Sequence, residues 1–224
     1  MRLRKQNNPA YDIEREMAEL EKGMTELGIS FGRDTLEKFK TYLSVLHSYH
    51  GRVHLLSHRD YERISRRHFL PCLVALPYVQ NYKRICDIGS GAGFPSLPLK
   101  IFRREAHLTI FEAQHKKADF LKHLLGSMDL KEVEIVNGRA EEYSGEKFDL
   151  ALLRAVGKIG KLAGVLDALL KPGAQAIFFK TFNVQEEIDK AQKVLRKHNF
   201  QVSIRKTSTP LEKAPLALVI LRKT

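Results

Sequence analysis

The feature that most constrains this chain is the run Ile85-Cys86-Asp87-Ile88-Gly89-Ser90-Gly91-Ala92-Gly93-Phe94-Pro95. A short apolar stretch ends at an acid, three alternate glycines follow, and Pro95 opens a pattern with helical spacing. This reads as strand, tight turn and helix. Glycines in such a turn let the backbone take positive φ and let a ligand approach the main chain. The helix start that follows offers N–H groups to a carboxylate or phosphate. Two ligand classes use this shape, dinucleotides and S-adenosylmethionine. The dinucleotide fingerprint G-x-G-x-x-G is met at Gly89 and Gly91, but Phe94 takes the third glycine's place. A ring there opposes close helix–strand packing. Asp87, two residues before the first glycine, suits an ammonium group, which S-adenosylmethionine has and NAD lacks. The turn therefore favours the methyl donor.

Around this run the hydrophobic period changes. From Lys83 onward, strand-like segments over 84–88, 107–112, 133–137, 148–153 and 174–180 alternate with helical ones over 95–101, 115–128, 158–170 and 184–198. Alternating β and α segments predict a parallel sheet covered on both faces. The last two strands, 200–206 and 216–221, have no helix between them and are expected to pair antiparallel at one edge. Before Lys83 the pattern is helical. Asn8-Pro9 has the form of a helix start, with residues 1–8 polar and basic and expected to fray. Ile13, Met17, Leu20, Met24 and Leu27 form an amphipathic stripe that Gly28 stops. Asp34 with Glu37 has the form of a capping box before a second stripe, Leu36, Phe39, Leu43 and Leu46. The expected division is a helical extension over 1–80 and a second domain over 81–224.

Charge bears on partners. Lys+Arg 38 against Asp+Glu 26 gives +12, an excess that draws polyanions. A net +3 of it lies in 49–68, where Arg52, Arg59, Arg63, Arg66 and Arg67 stand against Asp60 and Glu62 and mix with histidines and tyrosines. Arginines among rings suit phosphates and unstacked bases, and equally suit a solvated helix face. Cys72 and Cys86 both lie in apolar runs and read as buried free thiols of a reducing compartment. No Cys/His cluster has zinc spacing. No stretch of ~18 apolar residues and no signal peptide is apparent, so the expected location is cytoplasmic, with no membrane partner.

In open α/β sheets, ligands bind at the carboxyl ends of strands. Those ends carry Asp87, Glu112, the turn Arg139-Ala140-Glu141, Arg154 and Lys180. Glu112, twenty-five residues after Asp87, can accept both hydroxyls of a ribose, in NAD as in S-adenosylmethionine. Backbone N–H groups at Ala140 and Glu141 can meet an adenine edge, with Glu141 capping the turn or acting as plain helix-start charge.

The chain resembles the RsmG family, also called glucose-inhibited division protein B, of small-subunit ribosomal RNA methyltransferases. Asp87 to Leu99 is similar to the family's Asp-x-Gly-x-Gly-x-Gly-x-Pro-x-x-Pro-Leu and is the most specific match. His54-Leu55-Leu56-Ser57 with Arg59-Asp60 resembles its Asn-Leu-Thr stretch, with His in place of Asn. Arg67-His68-Phe69-Leu70 resembles its Arg-His-x-x-Asp-Ser segment, with Pro71-Cys72 in place of Asp-Ser. Arg139-Ala140-Glu141-Glu142, Arg154-Ala155 and Lys180 also fit. The resemblance implies a Rossmann-like class I methyltransferase: a mostly parallel seven-stranded sheet with an antiparallel edge, preceded by N-terminal helices. It implies S-adenosylmethionine as cofactor, held by Asp87, Gly89, Gly91, Phe94, Glu112, Ala140, Glu141 and Arg154. It implies methylation of guanosine N7 in the decoding region of 16S rRNA, as RNA or within the small subunit, by a monomer.

The residues make that reaction chemically sensible. Base-carbon methylation needs a cysteine nucleophile, and neither cysteine stands at a strand end facing the cleft. Exocyclic amine methylation often uses an Asn/Asp-Pro-Pro-aromatic turn, and the place reads Leu153-Arg154-Ala155-Val156. Guanine N7 carries a lone pair and no proton, so no catalytic acid or base is assigned, and positioning carries the reaction. Arg67, His68, Arg139 and Lys180 are the candidate RNA contacts. Arg139 and Lys180 can hold a phosphate or the guanine carbonyl, or stand as surface charges. Two alternatives are an NAD-linked oxidoreductase, which Phe94 opposes, and a non-catalytic ribosome-binding module, which intact Asp87, Gly89, Gly91 and Glu112 oppose.

Overall fold

A computed structural model describes residues 12–224. The Asn8-Pro9 start and the basic residues before it lie outside the described residues. Helix α1 (Ile13–Glu26) is capped by Asp12, whose Oδ1 accepts from Arg15 N–H at 2.8 Å. Gly28 follows its end at φ +67, as the sequence anticipates. Helix α2 (Arg33–Ser48) takes Gly32 as its cap, so the Asp34–Glu37 capping box does not form. Asp34 instead lies in the first turn, where its charge suits the helix dipole, and pairs with Lys38 at 3.0 Å and with Arg104.

The basic segment after α2 is not a regular helix. It runs through turns and a single 3₁₀ turn (His58–Asp60) to a π-helical turn (Ser65–Phe69) that continues into α3 (Leu70–Leu73). Strand β1 (Arg84–Ile88), α4 (Ser96–Phe102), β2 (His107–Phe111), α5 (His115–Met128) and β3 (Val133–Val136) follow. Then come β4 (Phe148–Arg154), α6 (Ile159–Leu169), β5 (Leu170–Lys180), α7 (Gln185–Lys197), β6 (Phe200–Ser208) and β7 (Pro215–Lys223). The seven strands form one sheet in the order β3-β2-β1-β4-β5-β7-β6, with β7 antiparallel to both neighbours. This is the expected sheet with its antiparallel edge.

One boundary differs. The sequence places a helix end at Lys171-Pro172-Gly173 and a strand from Ala174, whereas β5 already begins at Leu170. Phe148 pairs with Leu170 and Leu150 with Gln175, so the Lys-Pro-Gly turn is a bulge inside the strand. Lys171 holds it to β4 through Asp149 at 2.7 Å.

Side chains alternate along the buried strands. Ile85, Leu108, Ile110, Leu150, Leu152 and Ile177 face one apolar cluster, shared with α1 to α5. Cys86, Phe111, Ala151, Leu153 and Phe178 face the other, shared with α6 and α7. The α1 stripe (Met17, Leu20, Met24) and the α2 stripe (Phe39, Leu43, Leu46) are buried as expected. The Phe39 and Phe69 rings pack tilted by 59° with centres 4.9 Å apart, at the junction of α2 with the π turn. Truncating either buried ring to alanine costs about 3–5 kcal/mol.

Candidate cofactor turn and nucleotide cleft

Asp87 sits next to last on β1, on the same face as Ile85, and has no exposed surface. Its Oδ2 accepts the Ser96 N–H at 3.1 Å, and its Oδ1 has no hydrogen-bond partner among the described residues. Burial pushes this carboxyl up to about 7, against the hydrogen bonding from Ser96. The α4 start therefore spends its first N–H on Asp87 rather than presenting it outward.

The glycine turn is fixed from several sides. Gly89 N–H donates to Phe111 O at 2.8 Å, which fastens the end of β1 to β2. Gly91 N–H donates to Glu112 Oε2 at 3.0 Å, and Gln114 N–H to Glu112 Oε1 at 2.9 Å. Each oxygen of the buried Glu112 keeps a lone pair beyond these bonds. Tyr42 donates its hydroxyl to Ala92 O at 2.6 Å, from the opposite side. A Cβ on Gly93 would lie 2.4 Å from that hydroxyl, so the packing of α2 itself requires glycine there. Gly91 differs: it has φ +59, and a Cβ there would meet nothing within 4 Å.

After β3 a 3₁₀ turn (Ala140–Glu142) buries Ala140 and leaves Glu141 exposed. No side-chain cap bond is made there, so Glu141 does not cap the turn. Arg139 is exposed, its carbonyl accepts from Glu142 N–H at 3.2 Å, and its guanidinium makes no hydrogen bond or ion pair to another described residue. Asn137 Nδ2 donates to Glu112 O at 2.9 Å and its Oδ1 meets His115 Nδ1 at 2.8 Å, binding β2, β3 and α5 together at their site ends.

Arg154 and Phe94 join the turn to the N-terminal segment. Arg154 Nη2 donates to Arg67 O at 2.7 Å, and Nη1 lies 3.4 Å from both His68 O and Cys72 Sγ. Its guanidinium lies 5.8 Å from the centre of the Phe94 ring. Phe94 is buried between Tyr42, at 5.7 Å and 12°, and His68, at 4.9 Å and 23°. Burial pushes His68 below the ordinary histidine value, with Asp60 pulling the other way. Asp60 in turn is held well below the usual carboxylate range by His68, Ser57 and Arg67. Arg67 reaches Asp60 at 3.1 Å. Lys180 donates to Gly157 O and to Glu187, both at 2.9 Å, and so ties β5 to the starts of α6 and α7. Beside these residues lies a cleft of about 630 Å³, lined by Arg67, His68, Arg154, Lys180 and the β6–β7 turn.

The structure thus gathers Asp87, Gly89, Gly91 and Glu112 at one turn, and Arg67, His68, Arg154 and Lys180 at the adjoining cleft. Arg139 stands apart on the β3 side. Sequence reading missed Tyr42, Ser96 and Asn137. Tyr42 was legible in principle, because 39, 42, 43 and 46 share one helical face with the apolar stripe. Ser96 and Asn137 act through bonds that only the tertiary fold creates.

A mostly parallel sheet of this order, with an acid and a glycine turn at the end of β1, is the Rossmann-like methyltransferase fold. Similar solved structures include a ribosomal protein L11 methylase from Lactobacillus delbrueckii subsp. bulgaricus, at 16% identity and TM-score 0.54, covering 69% of this chain and 77% of that chain. A tRNA (m1A58) methyltransferase, TrmI, from Aquifex aeolicus matches at 20% identity and TM-score 0.53, covering 69% and 68%. Residues 35–213 match the family model described as rRNA small subunit methyltransferase G. Ribosomal RNA small subunit methyltransferase G of Oenococcus oeni is 37% identical over 74% of this chain and 72% of its own length. The protein of that description from Dehalococcoides mccartyi (strain CBDB1) is 33% identical over 92% and 91%. The chain belongs to the rRNA small subunit methyltransferase G family, and it is an rRNA methyltransferase.

Proposed function

We propose that the chain methylates guanosine N7 in 16S rRNA, in the decoding region, with S-adenosylmethionine as donor. The observation that carries the cofactor reading is the buried Asp87 Oδ1 near the end of β1, without a hydrogen-bond partner among the described residues, followed by a turn whose Gly91 has open space where a side chain would stand. An ammonium group satisfies both features: it supplies the missing donors and the opposing charge. Glu112 would take the ribose hydroxyls, its carboxylate already oriented by Gly91 and Gln114. Ala140 and Glu141 would flank the adenine through their backbone, while Phe94 and Arg154 brace the turn. S-adenosylmethionine, when bound, supplies an activated methyl group.

What remains for the protein is positioning. Burial raises the Cys72 thiol to about 11 and Cys86 well above its ordinary value, so neither suits attack on a base carbon. His68 is stacked flat on Phe94 with its pKa lowered by burial, a packing role rather than a proton shuttle. Guanine N7 needs no base, which fits this set. Residues 1–80 act as the RNA-facing extension of a methyltransferase unit over 81–224, with Arg67, His68, Arg139 and Lys180 toward RNA. The enzyme works as a cytoplasmic monomer on 16S rRNA or the small subunit.

The test is labelled-methyl transfer to 16S rRNA, with and without subunit proteins, followed by mapping of the modified atom. Single-turnover transfer at saturating substrates is expected to stay nearly flat between pH ~6.5 and ~8.5. His68→Gln keeps the flat profile. A tenfold climb per pH unit that vanishes in His68→Gln would make His68 a base and count against N7.

A further inference from the structure

The cleft beside the cofactor turn has two unlike ends. One is Arg154 and Ala155, at the end of β4, which pairs with β1. The other is the β6–β7 turn, across β5, at the start of β7. The strands that lead to them, β4 and β7, are two strand spacings apart, about 10 Å. Glu212 stands on the far end, half-buried. Its carboxylate makes no hydrogen bond to a described residue, and its ion-pair contact is Arg63 at 3.8 Å. The other carboxylate of the cleft, Asp60, is occupied by Ser57 and Arg67. Arg154 and Lys180 direct their donors to backbone carbonyls and Glu187. Glu212 is therefore, among the described residues, the carboxylate of the cleft that no hydrogen bond occupies.

We infer that Glu212 is the specificity-determining residue that reads the Watson–Crick edge of the target guanine. This rests on the guanine-N7 reading above. Guanine presents two donors side by side on that edge, N1–H and the 2-amino group, and a carboxylate has two oxygens to meet them. The opposite edge of the purine carries N7 and O6. A guanine held by Glu212 at the far end thus turns N7 back toward β4 and β1, where Asp87 and Gly91 lie. Adenine presents an acceptor at N1, which a carboxylate repels, so the same contact rejects it. The base enters unstacked, as single-stranded RNA permits.

Glu212→Gln tests this, because its amide matches adenine's acceptor and donor but opposes guanine's paired donors. The substrates are small subunits carrying guanosine or adenosine at the mapped position. The variant is expected to lose about 5- to 150-fold in kcat/KM on guanosine. The guanosine-to-adenosine ratio falls by at least that factor, with S-adenosylhomocysteine affinity unchanged. Arg63→Ala removes the neighbouring cation but keeps the carboxylate, and is expected to retain the wild-type ratio. An unmoved ratio in Glu212→Gln, or an equal collapse in Arg63→Ala, overturns the assignment. A wild-type product lacking the N7 methyl overturns the underlying reading instead, and the two failures are told apart by mapping the wild-type product alone.

Discussion

Asp87 accepts one hydrogen bond for its two buried oxygens, and burial holds its carboxyl at about 7 against an ordinary 3.8. An acid whose folded pKa is raised binds its proton more tightly folded than unfolded. Its ionisation therefore costs stability, from nothing below pH ~3.8 to a full penalty above pH ~7. The limit is about 4 kcal/mol for a shift of this size. Asp87→Asn is expected to raise the melting temperature of the ligand-free protein at pH 8 by several degrees and to leave it unmoved at pH 4. The same variant should lose S-adenosylhomocysteine binding in calorimetry. Wild-type affinity for that ligand should weaken as pH falls below ~7, because the neutral acid attracts no ammonium. Equal stability at pH 8 together with retained binding would remove Asp87 from the site.

Among elements, the decisive contact is between α2 and the glycine turn. Tyr42 is fully buried, stacks on Phe94 and closes on Ala92 O. Tyr42→Phe keeps the ring and strands that carbonyl, at a cost of about 1–3 kcal/mol. A melting temperature lower by a few degrees and a weaker S-adenosylhomocysteine affinity are expected, and no change in either would show that the brace is idle. The strand–turn–helix element was legible because its residues act locally: the acid, the glycines and the proline carry their own backbone preferences. Arg66 was not legible in the same way. In the sequence it looks like the other arginines of its segment, but Glu19 of α1 grips it in a bidentate pair at 2.7 and 2.8 Å. That pairing spans 47 residues and depends on how α1 meets the π turn. The bulge in β5 was missed for a related reason, since Pro172-Gly173 ends a helix as readily as it interrupts a strand.

For the whole molecule, +12 predicts salt-sensitive RNA binding, and the ion pairs decide which cations count. Arg66 is committed to α1, whereas the Arg139 side chain is exposed without a partner among the described residues and Arg67 is exposed beside Asp60. Affinity for 16S rRNA is expected to fall steeply with salt. Arg67→Ala with Arg139→Ala should flatten the log–log slope by about 1.4, the release expected for two phosphates on single-stranded RNA. Filter binding across salt concentrations measures this, and an unchanged slope would return both residues to the status of surface charge. The parallel sheet and its antiparallel edge were readable from segment alternation, whereas the strand order was not. The seam between the helical extension and the sheet was not, because amphipathic stripes show that a face is covered without showing by what.

That seam has a consequence for chimaeras. Tyr42, Phe69, His68 and Phe94 form one block of rings across it, and Arg154 fastens the block from the far strand. Exchanging the first eighty residues with those of a relative would therefore transplant half of a lock. A working hybrid has to carry positions 42, 68, 69, 94 and 154 as a single inherited unit, so these positions are tied to one another more closely than to their neighbours in sequence.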